Sequence, residues 1–246
     1  MNFVDIRRRY GFRGIEMGQW VTPEERDRAA IHFDGALEDL MAVLQGPEHL
    51  VSLRGTLGIQ YGKGGRPGVA AHYRPATRQL SLAKNAGAGS LAHEWFHAFD
   101  HYMGEKMFID CSVSRFASDA WLGNLAVHLD QRGRTHPLNL MLGQCFAEIM
   151  LDHSGEEPSA LFQASADADR RLNVVYYSKP VEMAARAFEA FVEDANPSSR
   201  FLVKGSRHSE EAKIGLYPQG AQRQRINIAF QHYFGALGGA LGREVS

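Results

Sequence analysis

The stretch H-E-W-F-H at residues 93–97 restricts most strongly what this chain can fold into and do. On a helix, residues four apart lie on one face, so His93 and His97 would direct two imidazoles to one place. Two imidazoles at this spacing form half of a tetrahedral zinc site, and Glu94 beside them can take a proton from a water held there. The stretch predicts a helix over residues 90–102 that binds Zn²⁺ and carries a catalytic glutamate.

The residues around this stretch favour a metal site over two coincidental histidines. The preceding residues 87–90 are small, and the helix itself is rich in apolar side chains: Leu91, Ala92, Trp95, Phe96, Ala98 and Phe99. We expect so apolar a helix to be buried, and buried imidazoles and carboxylates need polar partners. A bound metal ion supplies such partners.

Composition excludes several classes of protein. The chain has 246 residues, enough for one large domain or two small ones, and its 44% hydrophobic and 22% charged residues are typical of a globular protein. We expect a single domain over residues 1–246. A net charge of −1 argues against a nucleic-acid partner, and no apolar run is long enough to span a membrane. Only two cysteines and no export signal are present, so we expect a cytoplasmic location.

Within this single domain we expect three parts. Residues 1–86 would form an N-terminal helix and a sheet, residues 87–200 would run from the metal helix to a second, glutamate-bearing helix, and residues 201–246 would form a turn and a final helix. The basic residues Arg7, Arg8 and Arg9 are expected to form a solvated face, with nucleic-acid contact as the alternative.

Local patterns predict most of the elements. Thr22, followed by proline and two glutamates, predicts a helix start, and this helix would run to about Leu44 with an apolar stripe that includes Ile31. Strands are predicted at residues 50–53, 56–61, 69–73 and 79–82, the last two as a hairpin or meander, with helices at 121–129 and 138–151 and a loop or short cap at 164–169. The strand just before the metal helix could offer its edge to an extended peptide.

A zinc hydrolase needs a third protein ligand and an open fourth position for water. Pro180 begins a predicted helix, and Glu182 in its first turn is our choice for this ligand. Glu189 lies two turns further along the same face and is the alternative. Arg186, four residues after Glu182, could form a helix ion pair with it.

Four further residues have two interpretations each. Asp100 could fix the orientation of a ligating imidazole, or it is a surface aspartate at the end of the helix. Tyr177, or its neighbour Tyr176, could donate a hydrogen bond to a developing oxyanion, or it packs as an ordinary aromatic residue. His101 is expected to be a polar neighbour of the site, with the role of an additional ligand as the alternative.

The spacing also excludes one class of zinc protease. The extended H-E-x-x-H-x-x-G-x-x-H site needs a glycine at position 100 and a histidine at position 103, whereas this chain has Asp100 and Met103. A distant glutamate as third ligand, the gluzincin arrangement, remains compatible with the 85 residues that separate His97 from Glu182.

The chain resembles the family called large polyvalent protein-associated domain 1. It also resembles bacterial proteins labelled CLCA_X, related in name to the metallopeptidase-like part of calcium-activated chloride channel regulators. The resemblance is carried by residues 10–16 and 20–21, 53–58, 87–100, 177–193, 217–218 and 225–227. It implies a gluzincin-like metallopeptidase domain with ligands His93, His97 and Glu182 and catalytic Glu94. It further implies a domain that sits beside nucleases, methylases or helicases in large phage and plasmid proteins.

We therefore expect an α+β, zincin-like fold of gluzincin or minigluzincin type. A small mixed or antiparallel sheet would pack on an N-terminal helix, the metal helix and the glutamate-bearing helix. The expected activity is hydrolysis of a peptide or protein substrate by a zinc-activated water, with Glu94 as general base. The alternative is a zinc-containing interaction module, associated with mobile-element or phage functions, in which a fourth protein ligand such as His101 closes the site.

Overall fold

The computed structural model describes residues 1–19, 21–63, 71–83, 89–108, 115–126 and 136–245. It shows an α+β protein that is mostly helical and contains a small four-stranded mixed sheet. The chain forms two compact units, one of residues 1–99, 196–204 and 237–246 and the other of residues 100–195 and 205–236. Within the described ranges, no helix is both long and apolar enough to cross a bilayer.

The first unit contains the sheet. Its elements in chain order are α1 (Phe3–Tyr10), β1 (Gly14–Met17), α2 (Pro23–Leu44), α3 (Glu48–Val51), β2 (Gly58–Tyr61), β3 (Ala71–Arg74) and β4 (Gln79–Leu82), followed by the start of α4 (Leu91–Met107). The strand order is β1-β2-β4-β3. The strands β1, β2 and β4 are parallel, and β3 is antiparallel to β4, so the predicted small mixed sheet is confirmed.

Helix α2 confirms the boundary signals in the sequence. The Thr22 hydroxyl accepts from the Glu25 N–H, and the Glu25 carboxylate accepts from the Thr22 N–H, which forms the expected capping box. The stripe of Phe33, Leu37 and Leu40 is buried. The predicted place of Ile31 in this stripe is wrong, because its side chain is 61% exposed.

Two predictions in the N-terminal part need correction. Residues 50–53 do not form a strand: Leu50 and Val51 end helix α3, and Leu53 and Arg54 then turn with positive φ angles of 52° and 56°. A short apolar run does not distinguish a buried strand from a buried helical turn. Helix α1 was not predicted, although Asn2 and Asp5 form a capping box at its start.

The predicted hairpin is confirmed. Strands β3 and β4 pair in the register Ala71↔Leu82 to Arg74↔Gln79 and are joined by a 3₁₀ turn at Pro75–Thr77. The strand just before the metal helix, β4, lies inside the sheet between β2 and β3. The prediction that this strand offers a free edge is therefore wrong, and among the described strands the edges are β1 and β3.

The second unit is helical. Besides the end of α4 it contains α5 (Ala117–Ala126), α6 (Pro137–Met150), α7 (Ala160–Leu172), α8 (Pro180–Asp194), α9 (Glu210–Lys213) and most of α10 (Gly220–Val245). Its core includes the ring of Phe188 of α8, whose centroid lies 5.7 Å from that of Phe230 and 5.6 Å from that of Phe234. Aromatic packing of this kind fixes α8, which is buried from Met183 to Val192.

The predicted loop at residues 164–169 is wrong, because these residues lie within α7. The helix begins at an N-cap, Ser159, whose hydroxyl accepts from the Phe162 N–H at 3.1 Å. Leu161, Ser165 and Ala168 then follow at helical spacing and are buried. The small side chains of residues 164–169 show no clear helical period in the sequence, whereas the positions of the buried residues do.

Candidate metal centre

Two hydrogen bonds fix the beginning of the metal helix α4. The Gly89 N–H donates to the Phe201 carbonyl at 3.2 Å, and the Ala92 N–H donates to the Leu202 carbonyl at 3.0 Å. The first N–H groups of a helix have no partner inside it, so these carbonyls satisfy donors that would otherwise be unpaired. Sequence patterns do not predict this contact, because any residue can supply a backbone carbonyl.

The aromatic residues of α4 pack on the side opposite the polar ones. The Trp95 indole N–H donates to the Val51 carbonyl at 2.8 Å, and its ring stacks on Phe99 at a centroid distance of 5.3 Å. Both rings are about 1% exposed. This burial determines the rotation of the helix about its axis and hence the direction in which residues 93 and 97 point.

His93 and His97 meet as the helical spacing requires. Their Nε2 atoms lie 3.2 Å apart, and their rings are nearly perpendicular at a centroid distance of 4.8 Å. His97 is 9% exposed, and His93 is half-buried. Two imidazole nitrogens this close together can coordinate a single ion.

Glu94 is held by the edge of the sheet. Its Oε2 accepts a hydrogen bond of 2.7 Å from the backbone N–H of Tyr73 in β3. The N–H of Tyr73 therefore points away from β4 and toward the metal helix. This link between the catalytic candidate and the edge strand was missed from the sequence, because it depends on tertiary structure and not on residue type.

The structure brings the three predicted ligands together. The ligand atoms of His93, His97 and Glu182 all lie within 4.8 Å of one another, and this group could hold a metal ion. Two imidazole nitrogens and one carboxylate oxygen are a donor set that Zn²⁺ accepts. The chemistry of the donors therefore fits the predicted metal.

Glu189, the alternative ligand, has a different environment. Its Oε2 accepts a hydrogen bond of 2.8 Å from the phenol of Tyr217, and its side chain is only 6% exposed. Burial and then the negative charge of Glu189 raise the pKa of Tyr217, so that the phenol remains a proton donor. Glu189 does not belong to the group that could hold a metal ion among the described residues.

Arg186 has other partners than the predicted one. Its Nε donates to the Leu216 carbonyl at 2.7 Å, and its Nη2 donates to the Tyr177 carbonyl at 2.7 Å and to the Ser165 hydroxyl at 3.0 Å. Burial lowers the pKa of this guanidinium, while the charge of Glu182 acts in the opposite direction. Arg186 and Glu182 therefore attract each other at longer range than in the expected helix ion pair. The hydrogen bonds of Arg186 connect the segments before and after α8.

Tyr177 lies in a loop that is organised by an aspartate whose role was not predicted from the sequence. Asp169, at the end of α7, accepts from the N–H groups of Tyr176, Tyr177 and Ser178 at 3.1, 2.9 and 2.9 Å and from the Ser178 hydroxyl at 2.6 Å. Burial would raise the pKa of Asp169, but these hydrogen bonds outweigh it and lower the pKa to about 2. The oxyanion role of Tyr177 stays a prediction.

Asp100 and His101 contact residues of α5 and of the segment just before it. Asp100 is fully buried and accepts from the Ser118 N–H at 2.8 Å and the Ser118 hydroxyl at 2.5 Å, in place of the predicted imidazole. Burial raises the pKa of this carboxyl to about 7. The buried ring of His101 lies 5.4 Å from that of Phe116, and His101 is not in the candidate metal group among the described residues.

Comparison with known proteins identifies one segment. The family model of large polyvalent protein-associated domain 1 matches residues 168–241, which include α8 with Glu182 and most of α10. No curated protein and no solved structure shows a significant match to the chain. The match supports the family resemblance noted from the sequence over the segment that carries the third candidate ligand.

Proposed function

We propose that this protein is a zinc-dependent peptidase with a zincin-like fold and gluzincin-type ligands. The proposal is supported by one observation above all: His93, His97 and Glu182 place their ligand atoms within 4.8 Å of one another. The glutamate of the same H-E-x-x-H stretch, Glu94, lies between the two histidines in sequence and contacts the edge strand. The match to large polyvalent protein-associated domain 1 agrees with this reading but does not itself assign an activity.

The ligand number favours catalysis over a purely structural metal. Structural zinc sites usually have four protein ligands, whereas catalytic sites have three and keep one position for water or substrate. Within the described residues, the group contains three ligands, and His101 packs against Phe116 instead of joining it. When bound, zinc would supply a Lewis acid that polarises the scissile carbonyl and lowers the pKa of water to about 7.

Glu94 supplies the acid–base chemistry in this proposal. Its carboxylate takes a proton from the attacking water and passes that proton to the leaving amine as the peptide bond breaks. The hydrogen bond from the Tyr73 N–H holds one carboxylate oxygen in a fixed direction. Such positioning limits the reorganisation needed at the moment of reaction.

In this proposal the substrate backbone binds along the edge strand β3. Among the described strands it pairs with β4 alone, so the groups on its outer side other than the Tyr73 N–H can pair with an extended peptide as a further strand. Tyr73 of this strand contacts Glu94, so a peptide lying along β3 runs next to the proposed general base. Main-chain hydrogen bonds of this kind bind peptides of many sequences, which suits an endopeptidase.

The substitution Glu94→Gln tests the catalytic part of the proposal. We expect it to reduce the cleavage of a mixed peptide library by about 10²-fold or more, because the amide cannot accept the proton. The zinc content should remain that of the wild type, since Glu94 is not a ligand. Glu105→Gln, an exposed glutamate on the same helix, is the control and should cleave normally. Normal cleavage by Glu94→Gln would contradict the role of Glu94 as general base, and full zinc content without any cleavage in the wild type would contradict a peptidase.

A further inference from the structure

A second surface feature lies beside strand β1, at the opposite edge of the sheet from β3. Residues of α1, β1 and α2 line a groove there with a volume of about 700 Å³. The lining includes Ile15 and Met17 of the strand, Val4 of α1 and Ile31 of α2. None of these residues belongs to the proposed metal centre, so the groove needs an explanation of its own.

The groove exposes apolar side chains to solvent. Val4 is 66% exposed and Ile31 is 61% exposed, and the flanking Ile15 and Met17 are half-buried. Single exposed apolar residues are common, but several around one groove mark a site of interaction. Ile31 departs from the buried stripe of its own helix, so its exposure does not serve the packing of α2.

Strand β1, two of whose residues line the groove, has an unpaired edge among the described strands. Strand β1 pairs with β2 on one side, and no described strand pairs with its other side. Exposed edges of this type present unused N–H and C=O groups and attract another extended segment. A backbone edge with apolar side chains next to it is the arrangement by which proteins bind peptides through strand addition.

The charges at the groove are predominantly positive. The lining contains two guanidinium groups, Arg7 and Arg26, and one carboxylate, Asp27. Arg26 and Asp27 are neighbours at 3.4 Å, with both side chains at least half exposed, which is a weak surface contact. The Arg7 side chain makes no hydrogen bond or ion pair with any residue that the structure describes. Its charge is therefore available to a ligand carboxylate.

We propose that this groove binds a partner segment in extended conformation, added as a strand to β1, with alternating apolar residues and at least one acidic residue. The apolar side chains cover Val4 and Ile31, and the acidic residue pairs with Arg7. The volume of the groove is within the range that specific ligand sites occupy. This binding function is independent of the proposed hydrolysis, because it uses neither Glu94 nor the metal ligands.

Fluorescence polarisation with a designed probe tests the proposal. The probe is a fluorescein-labelled octapeptide that alternates valine and threonine around one central glutamate, and its partner peptide carries glutamine in place of the glutamate. We expect the glutamate probe to bind the wild-type protein more tightly than the glutamine probe. Hydrogen exchange should slow at the amides of Gly14–Met17 when the glutamate probe binds, because the added strand protects them.

Matched variants locate the binding. Ile31→Asp should weaken the glutamate probe by about tenfold or more, since it places an unpaired charge against apolar residues of the ligand. Arg7→Glu should remove the preference for glutamate over glutamine. The controls are Leu140→Asp, an apolar residue that is 70% exposed outside the groove, and Arg28→Glu, an exposed arginine of α2 that does not line it. Both should bind like the wild type.

Three results would overturn the proposal. One is the absence of binding of either probe up to about 1 mM protein, the weak end of specific recognition. Another is equal loss of binding in Ile31→Asp and Leu140→Asp. The third is a wild-type dimer in analytical ultracentrifugation that Ile31→Asp dissociates, because a second copy of the chain would then be the occupant of the groove.

Discussion

At the scale of single residues, the choice between two glutamates of α8 illustrates what spacing can decide. Glu182 and Glu189 are seven residues apart and share one helix face, so periodicity alone left both as candidate ligands. Their contacts separate them: Glu182 joins the two histidines, and Glu189 receives the phenol of Tyr217. The histidine pair could be predicted because it lies within one helical turn, whereas the third ligand depends on how distant segments fold.

The buried carboxyl of Asp100 gives a prediction about pH. Burial, partly offset by the hydrogen bonds from Ser118, raises its pKa from the ordinary value of 3.8 to about 7. Between these values the folded state binds more protons than the unfolded state, so stability falls as the pH rises from about 4 to 7. Asp100→Asn removes this titration but keeps an acceptor and a donor for Ser118.

We therefore expect Asp100→Asn to gain stability relative to the wild type as the pH rises from 5 to 8. Urea unfolding at both pH values measures the difference, and the gain should be on the order of 1 kcal/mol or more. An unchanged difference between the two proteins across this pH range would show that Asp100 is ionised throughout.

At the scale of elements, the loop that precedes α8 depends on one side chain. Asp169 at the end of α7 receives four hydrogen bonds from residues 176–178. Neither the small residues of α7 nor the aromatic pair Tyr176–Tyr177 predicts this contact, because it joins the end of one helix to the approach of the next. Pro180 correctly predicted the residue at which α8 begins. Where this residue lies in the fold depends on the contacts of Asp169.

Replacing this carboxylate should loosen the approach to α8. We expect Asp169→Asn to lower the free energy of unfolding at pH 7 by about 1–3 kcal/mol, because an amide offers fewer acceptor sites to the three N–H groups. Since the pKa of Asp169 is lowered, the ionised carboxylate stabilises the fold above about pH 4. This stabilisation is lost as the pH falls toward 2.

Urea unfolding of the wild type and of Asp169→Asn at pH 7 and pH 3 checks this pH dependence. The stability difference between the two proteins should narrow at the lower pH. Asp167→Asn, an exposed aspartate of the same helix, is the control and should change stability by less than about 0.5 kcal/mol. A loss of equal size in both variants would contradict the specific role of Asp169.

At the scale of the whole molecule, the class of fold could be predicted, but the order of the strands in the sheet could not. The alternation in residues 69–82 indicated the β3–β4 hairpin, and the capping residues of α2 indicated its start. The insertion of β4 between β2 and β3 depends on pairing between distant strands, which local patterns do not encode. The same limit applies to the contact between Tyr73 and Glu94, on which the proposed substrate edge rests.

Distant segments also meet at Gly238 in the first unit. A β-carbon at this position of α10 would overlap the carbonyl group of Gln45, which follows α2. We expect Gly238→Ala to destabilise the protein by about 1–3 kcal/mol through this clash, in spite of the better helix propensity of alanine. A β-carbon at the neighbouring Gly239 would make only an ordinary contact of 3.9 Å with the Arg243 side chain, so Gly239→Ala should be neutral or stabilising in thermal unfolding. Equal melting temperatures for the two variants would contradict this close approach.

The measurement that tests the central claim most directly is the zinc content of purified protein by plasma mass spectrometry. The variants to compare are the wild type, Glu182→Gln and Glu189→Gln. The account predicts about one zinc per chain in the wild type and in Glu189→Gln, and a large loss in Glu182→Gln, because a neutral amide is a poor zinc ligand. No zinc in the wild type after reconstitution, or undiminished zinc in Glu182→Gln, would contradict the three-residue metal centre.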